Sequence, residues 1–295
     1  MRRAVLVVAI CAALAAIWPG GAAAATNGPI YFTDSSAIWK INANGTGAAR
    51  VLNKPAWSIA VAPDGKRMAF THDGLFLTTT HGGKVKNLLK RYPTENHFAG
   101  VNWASWAPNG KKIVFAGEND GRIYTIKPNG KGLKYLLGKN RVGVRHPVYS
   151  PNGREIAFLD TYAGSSLLAV DLATHKERMI YSGSGPAGTP SDFDWHPSGS
   201  RIAFYAPYRN WMINSDGTGL RQISPDSAFV SYENMTFSPD GTGLVGRSVA
   251  EGGSTSELWL MDGNLGAGPG GFTQQITASF PGSAFTPDWA PAPKG

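Results

Sequence analysis

Trp106-Ala107-Pro108-Asn109-Gly110, WAPNG at 106–110, is one member of a set. An aromatic or aliphatic residue, any residue and a proline recur as Val61-Ala62-Pro63, Tyr149-Ser150-Pro151, Trp195-His196-Pro197, Phe237-Ser238-Pro239 and Trp289-Ala290-Pro291. A glycine follows two positions past the first five prolines, as Gly65, Gly110, Gly153, Gly199 and Gly241. The prolines stand 45, 43, 46, 42 and 52 residues apart. A near-fixed period in this range marks a repeat architecture. Within each copy, proline presets φ and glycine accepts positive φ, which suits a tight turn ending one strand and starting the next.

Around the turn each repeat holds four short runs of branched and aromatic residues. In 143–182 these are Val144–Tyr149, Glu155–Phe158, Leu167–Asp171 and Arg178–Ile180. Turn chemistry separates them, so each repeat predicts four antiparallel strands. A phenylalanine falls seven residues past the proline in four repeats, as Phe70, Phe115, Phe158 and Phe204, and is expected between adjacent units. The fifth repeat has Gly246 there. No helical periodicity appears after residue 25.

Four-stranded units of this length in tandem predict an all-β, six-bladed β-propeller. Five blades are continuous, at about 55–90, 100–138, 143–182, 189–224 and 231–278. The sixth is composite: 283–291 supplies its inner strand, and 29–53 the remaining three. Closing the ring in this way leaves no free sheet edge at the seam.

The motif (W/Y/F)-(S/A/H)-P-(D/N)-G-x-x-(I/M)-(A/V)-F appears as WAPNGKKIVF (106–115) and YSPNGREIAF (149–158), with WHPSGSRIAF (195–204) a close variant. The second half of the unit is represented by INSDGTGLRQI (213–223). This pattern resembles the repeat of the TolB-like propellers, a WD40-like Pro-Asp-Gly family, over essentially all of 29–291. The resemblance implies the propeller module without the α/β domain that precedes it in TolB.

The N-terminus reads as a secretory signal peptide over 1–25: Arg2-Arg3, an apolar run from Ala4 to Trp18, then Pro19-Gly20-Gly21 and the small residues Ala22–Ala25. The remaining 26–295 is expected to be one domain, exported to the periplasm, the cell envelope or the medium, without a stable membrane span. The one cysteine, Cys11, lies in the leader, which excludes disulfides and thiolate chemistry from the mature chain. The formal charge of +8 comes from basic residues spread over the repeats, densest at Lys111-Lys112 and Lys84/Lys86. With no basic stripe interleaved with aromatics, nucleic-acid binding is not expected.

The site is sought where inner strands converge on the axis. Aligned on their final residue, they place Ser58, Trp103, His146, Asp192, Asn234 and Thr286 three positions upstream. Trp57, Asn102, Arg145, Ser191, Glu233 and Phe285 stand four positions upstream. Alternation assigns one row to the channel and the other to packing between blades, without saying which is which. Arg145, His146, Asp192, Glu233, Asn234, Trp57 and Trp103 are the candidate ligand-binding residues. Charges and amides would orient a polar ligand and indoles would stack on it. The same convergence also allows these groups simply to satisfy one another.

Catalytic residues, metal ligands and cofactors are not expected. The six histidines show no H-x-x-x-H or H-E-x-x-H spacing, and no G-x-S-x-G elbow is present. His196, before a turn proline, is expected to be exposed; only His146, with His72 and His97 in mouth loops, falls near the channel. Asp34, Asp73, Glu118, Asp120, Asp160 and Glu251 follow second strands, and Glu118-Asn119-Asp120 reads as a solvated turn. The favoured function is a non-enzymatic binding or scaffold module, a monomer holding an envelope protein, a peptide or a glycan. The alternative is a propeller-type lyase or glycosidase using carboxylates such as Asp192 and Glu233.

Overall fold

The structure, a computed structural model, describes residues 26–92, 100–117, 120–137, 143–162, 164–224, 230–250, 255–262 and 274–293. Residues 1–25, His97, Glu118-Asn119 and Glu251 lie outside these residues. Among the described residues there are six four-stranded antiparallel sheets and no helix. In five sheets the strands follow one another in chain order. The sixth, blade 1 below, is the composite: Phe285–Pro291 pairs with Asn27–Thr33, which continues outward through Ile38–Ile41 to Ala49–Leu52. Blades 2 to 6 then follow in sequence.

The repeated turn forms as its chemistry requires. Gly65, Gly110, Gly153, Gly199 and Gly241 have φ between 65° and 76°. Each donates its N–H at 2.8 Å to the carbonyl of the residue before the proline. Another residue type at these glycines would sit in the left-handed region, at a cost of about 1 kcal/mol or more.

Six apolar clusters hold the ring together, each drawing buried residues from two adjacent blades. Phe158, for instance, is fully buried with Val114 and Ile123 of blade 3 and Ile156 of its own blade 4. Phe70, Phe115 and Phe204 occupy the matching places and are buried likewise. No blade buries its faces alone, so closure of the ring and formation of the core are one event.

One expectation is corrected. His196 is buried rather than exposed. Its Nε2 lies 3.1 Å from the Gly241 carbonyl, in the turn of the next blade, and its ring packs edge-on against Phe237 at 5.1 Å. Burial and the nearby Arg201 charge lower its pKa, so it stays neutral near pH 7.

Candidate functional site

The six inner strands are Ser58–Val61, Val101–Trp106, Val144–Tyr149, Asp192–Trp195, Val230–Phe237 and Phe285–Pro291. They enclose an axial channel of about 480 Å³. Its wall contains the row three positions upstream, from Ser58 round to Thr286, and at the opposite end a ring of the six repeat prolines. The row four positions upstream does not line it.

Four of the six inner strands break register at that lining row. Asn102 pairs with Ala116 and Ala104 with Phe115, which leaves Trp103 without an opposite residue. The pairing likewise jumps from Arg145 to Val148, from Glu233 to Thr236, and across Thr286 and Pro287. At each bulge one residue takes a left-handed backbone: Trp103 (φ 45°), His146 (53°), Asn234 (49°) and Thr286 (38°). The strands of Ser58 and Asp192 keep regular pairing. For Trp, His and Thr this conformation costs about 1–2 kcal/mol each. The bulge re-aims the side chain at the mouth, as bulges beside binding sites do.

In the mouth, Trp103 and His146 stack with centroids 5.3 Å apart and planes 21° from parallel. The His146 ring also packs against Phe193, with centroids 4.9 Å apart. His146 Nδ1 lies 3.1 Å from Asp192 Oδ1 but lacks a hydrogen bond's alignment. Burial first, then the Arg145 charge, pushes the His146 pKa down to about 3. The imidazole is therefore neutral, and its contact with Asp192 is not an ion pair at ordinary pH.

Other polar contacts along the channel wall serve the scaffold. An inner strand presents one edge to the axis, where half of its N–H groups face no partner strand. Side chains of the preceding blade accept them. Asp192 Oδ2 takes the Met235 N–H at 2.8 Å, and Asp194 Oδ2 the Phe237 N–H at 2.9 Å. Asp288 Oδ2 takes the Val61 N–H at 2.5 Å, while Ser105 and Thr236 do the same for Tyr149 and Trp289 at 3.4 and 3.5 Å. Pro147 and Pro287 have no N–H to satisfy, which fits them to this edge.

Burial raises all three carboxylates. Asp192 is pushed up to about 7, opposed by backbone N–H donors and helped by the Glu233 charge. Asp194 reaches about 8, with the charge of Asp288 adding to desolvation, and Asp288 about 6. Asp194 and Asp288 were not among the sequence candidates. The signal available was an aspartate one position before the strand's final residue in DFDW (192–195) and PDWAP (287–291).

Of the seven candidates, the structure brings Trp103, His146, Asp192 and Asn234 together on the channel wall. Arg145, Glu233 and Trp57 stand outside it. Glu233 Oε2 lies 3.3 Å from Arg247 Nη1, and that guanidinium covers the Phe285 ring of the next inner strand at 5.0 Å. Arg145 keeps a buried Nε without a hydrogen-bond partner. Trp57 is 41% exposed and leans on His72, with centroids 4.9 Å apart. The row four positions upstream therefore does not serve uniformly as packing between blades. Asp192 and Glu233 do not share the channel as a carboxylate pair. No group of three or more His, Cys, Asp or Glu among the described residues has metal-binding geometry.

The fold is shared with solved propellers. TolB from Acinetobacter baumannii superposes with a TM-score of 0.70 at 17% identity, covering 90% of this chain and 67% of that one. A putative TolB from Agrobacterium tumefaciens gives 0.67 at 16% identity over 90% of this chain and 99% of that one. A chain of a nidogen/laminin complex gives 0.72 at 13% identity, covering 89% and 98%. These likenesses establish a TolB-like six-bladed propeller fold. No family model matches the sequence, and no curated protein matches it.

Proposed function

We propose that this chain is an exported, non-enzymatic binding module, and that its channel mouth holds a protein segment, a peptide or a glycan. One observation carries the reading. Four independent strands break register at the same position and set Trp103, His146, Asn234 and Thr286 in a left-handed backbone conformation at one opening, costly for all but Asn234. Strain repeated at a mouth, where it adds nothing to the core, is the mark of a functional constraint.

In this reading the Trp103–His146 stack supplies a flat apolar platform, and Asn234 and Thr286 supply donors and acceptors beside it. Asp192 positions the ring by holding the Met235 N–H and standing against His146. Arg145, Glu233 and Trp57 act at the rim, one residue further out. The leader-like residues 1–25 and the TolB-like fold support export to the envelope. The nidogen neighbour, solved in a complex with laminin, supports a protein as partner.

Immobilised chain 26–295 exposed to cell-envelope extract, beside its Trp103→Ala/Asn234→Ala variant, tests the proposal by quantitative mass spectrometry. At least one partner should be retained by the first bait and lost from the second. Equal recovery on both would remove the mouth from the function.

A further inference from the structure

A second cavity, with opposite chemistry, lies between the outer strands of blade 2 and blade 3. It measures about 890 Å³ and is walled by the third strand Gly74–Thr79, the fourth strand Lys86–Asn87, the segment after it and the turn at Asn129-Gly130. Arg67, Lys84, Lys86, Lys90 and Arg91 line it, and among the described residues no aspartate or glutamate does.

Two of these cations are already engaged. Arg67 pairs with Asp64 at 2.8 Å and covers the Trp106 ring, while Lys86 Nζ donates to the Asn129 carbonyl at 2.7 Å. Lys84, Lys90 and Arg91 are exposed and make no ion pair with another described residue. In the same wall, Thr78 has a buried hydroxyl without a hydrogen-bond partner. Leu77, Val85 and Leu88 give the cavity an apolar lining beneath the charges.

We propose that this groove binds a phosphate-bearing polyanion, with two or more phosphoryl groups against Lys84, Lys90 and Arg91 and its carbon framework over the apolar lining. Uncompensated like charges held in one concavity repel each other and focus a positive potential there. Phosphoryl oxygens are the strong acceptors that Lys and Arg head groups match. The cavity is far larger than one phosphate and within the usual small-molecule range of about 300–1,000 Å³. Other polyanions fit less well. The groove's own outer strand is two residues long, too short an edge for an acidic peptide to extend as a strand. Among the described residues no aromatic one lines the groove to stack a nucleic-acid base.

Calorimetric titration at low ionic strength tests this with two probes, sodium tripolyphosphate and phosphatidylglycerol vesicles. The proteins are chain 26–295, the Lys84→Ser/Lys90→Ser/Arg91→Ser variant, and a control of equal charge, Lys134→Ser/Arg154→Ser/Lys176→Ser, altered at exposed positions elsewhere. The groove variant should bind about tenfold or more weakly, the scale of one or two charge-assisted hydrogen bonds, while the control binds as the parent does. Groove-dependent binding of tripolyphosphate assigns the site to soluble phosphates. The same dependence on vesicles alone assigns it to a lipid headgroup. Binding of neither probe, or equal weakening in the control, overturns the proposal.

Discussion

The axial channel and the groove between blades 2 and 3 are both polar cavities, yet their side chains stand in different relations to the fold. In the channel, Asp192, Asp194 and Asp288 are buried acids whose oxygens accept backbone N–H groups of the next inner strand. In the groove, Lys84, Lys90 and Arg91 have open concave space before them and, among the described residues, no acidic neighbour along the wall. Charge in a cavity is thus a poor guide to function until its partners are counted. Most of the channel's polarity is consumed in closing the ring, and only the bulged row at the mouth is left facing outward.

Both cavities hang on the same apolar core, so the largest expected effect lies there. Phe158→Ala should cost about 3–5 kcal/mol in denaturant titration, as for a buried aromatic replaced by a small residue. A loss below ~1 kcal/mol would show that the clusters between blades are not the scaffold on which the comparison rests.

The channel acids predict a pH dependence of stability. Their folded pKa values, about 7, 8 and 6, lie above the unfolded aspartate value, so the folded chain holds protons that the unfolded chain releases. The stability this contributes is fully present below about pH 4 and is lost as pH rises through 6 to 8. His146 works the other way: its pKa is lowered to about 3, so its contribution is lost as pH falls from about 6.5. Three groups outweigh one. Stability should fall between pH 5 and pH 9, by on the order of a few kcal/mol, and Asp194→Asn should flatten the curve. A rising or flat profile for the parent chain would mean that the acids are not held as described.

At fixed pH, Asp194→Ala leaves the Trp195 and Phe237 N–H groups without their carboxyl acceptor and should cost about 1–3 kcal/mol. The smallest effect belongs to the groove: Lys90→Ser should stay within about 0.5 kcal/mol by the same titration. Similar losses at the two positions would erase the distinction between polar groups held by the scaffold and groups left available.

The architecture was legible because it is periodic. The proline spacing, the Phe at a fixed offset and the split repeat at the termini give six blades, and the composite blade pairs as read. The site was legible only in part. Counting back from Trp106 and its equivalents reaches the channel wall, but two candidate rows remained open, because alternation alone cannot place a bulge. Of the four bulged residues, His146 and Asn234 belong to types enriched in the left-handed region, whereas Trp103 and Thr286 give no local warning. Asp194 and Asp288 bond across blades, so their role depends on a neighbouring strand more than 40 residues away in sequence. His196 misled for the same reason, since the carbonyl beside its ring belongs to the next repeat.

The central claim is that the bulged mouth, and not the channel below it, meets the partner. The most direct measurement follows the Trp103 indole N–H resonance, assigned through Trp103→Phe, as the captured partner is added to the folded chain 26–295. This resonance should shift or broaden in proportion to binding, while those of Trp39 and Trp259, on third strands away from the axis, stay in place. A Trp103 signal unmoved at saturation would contradict the account.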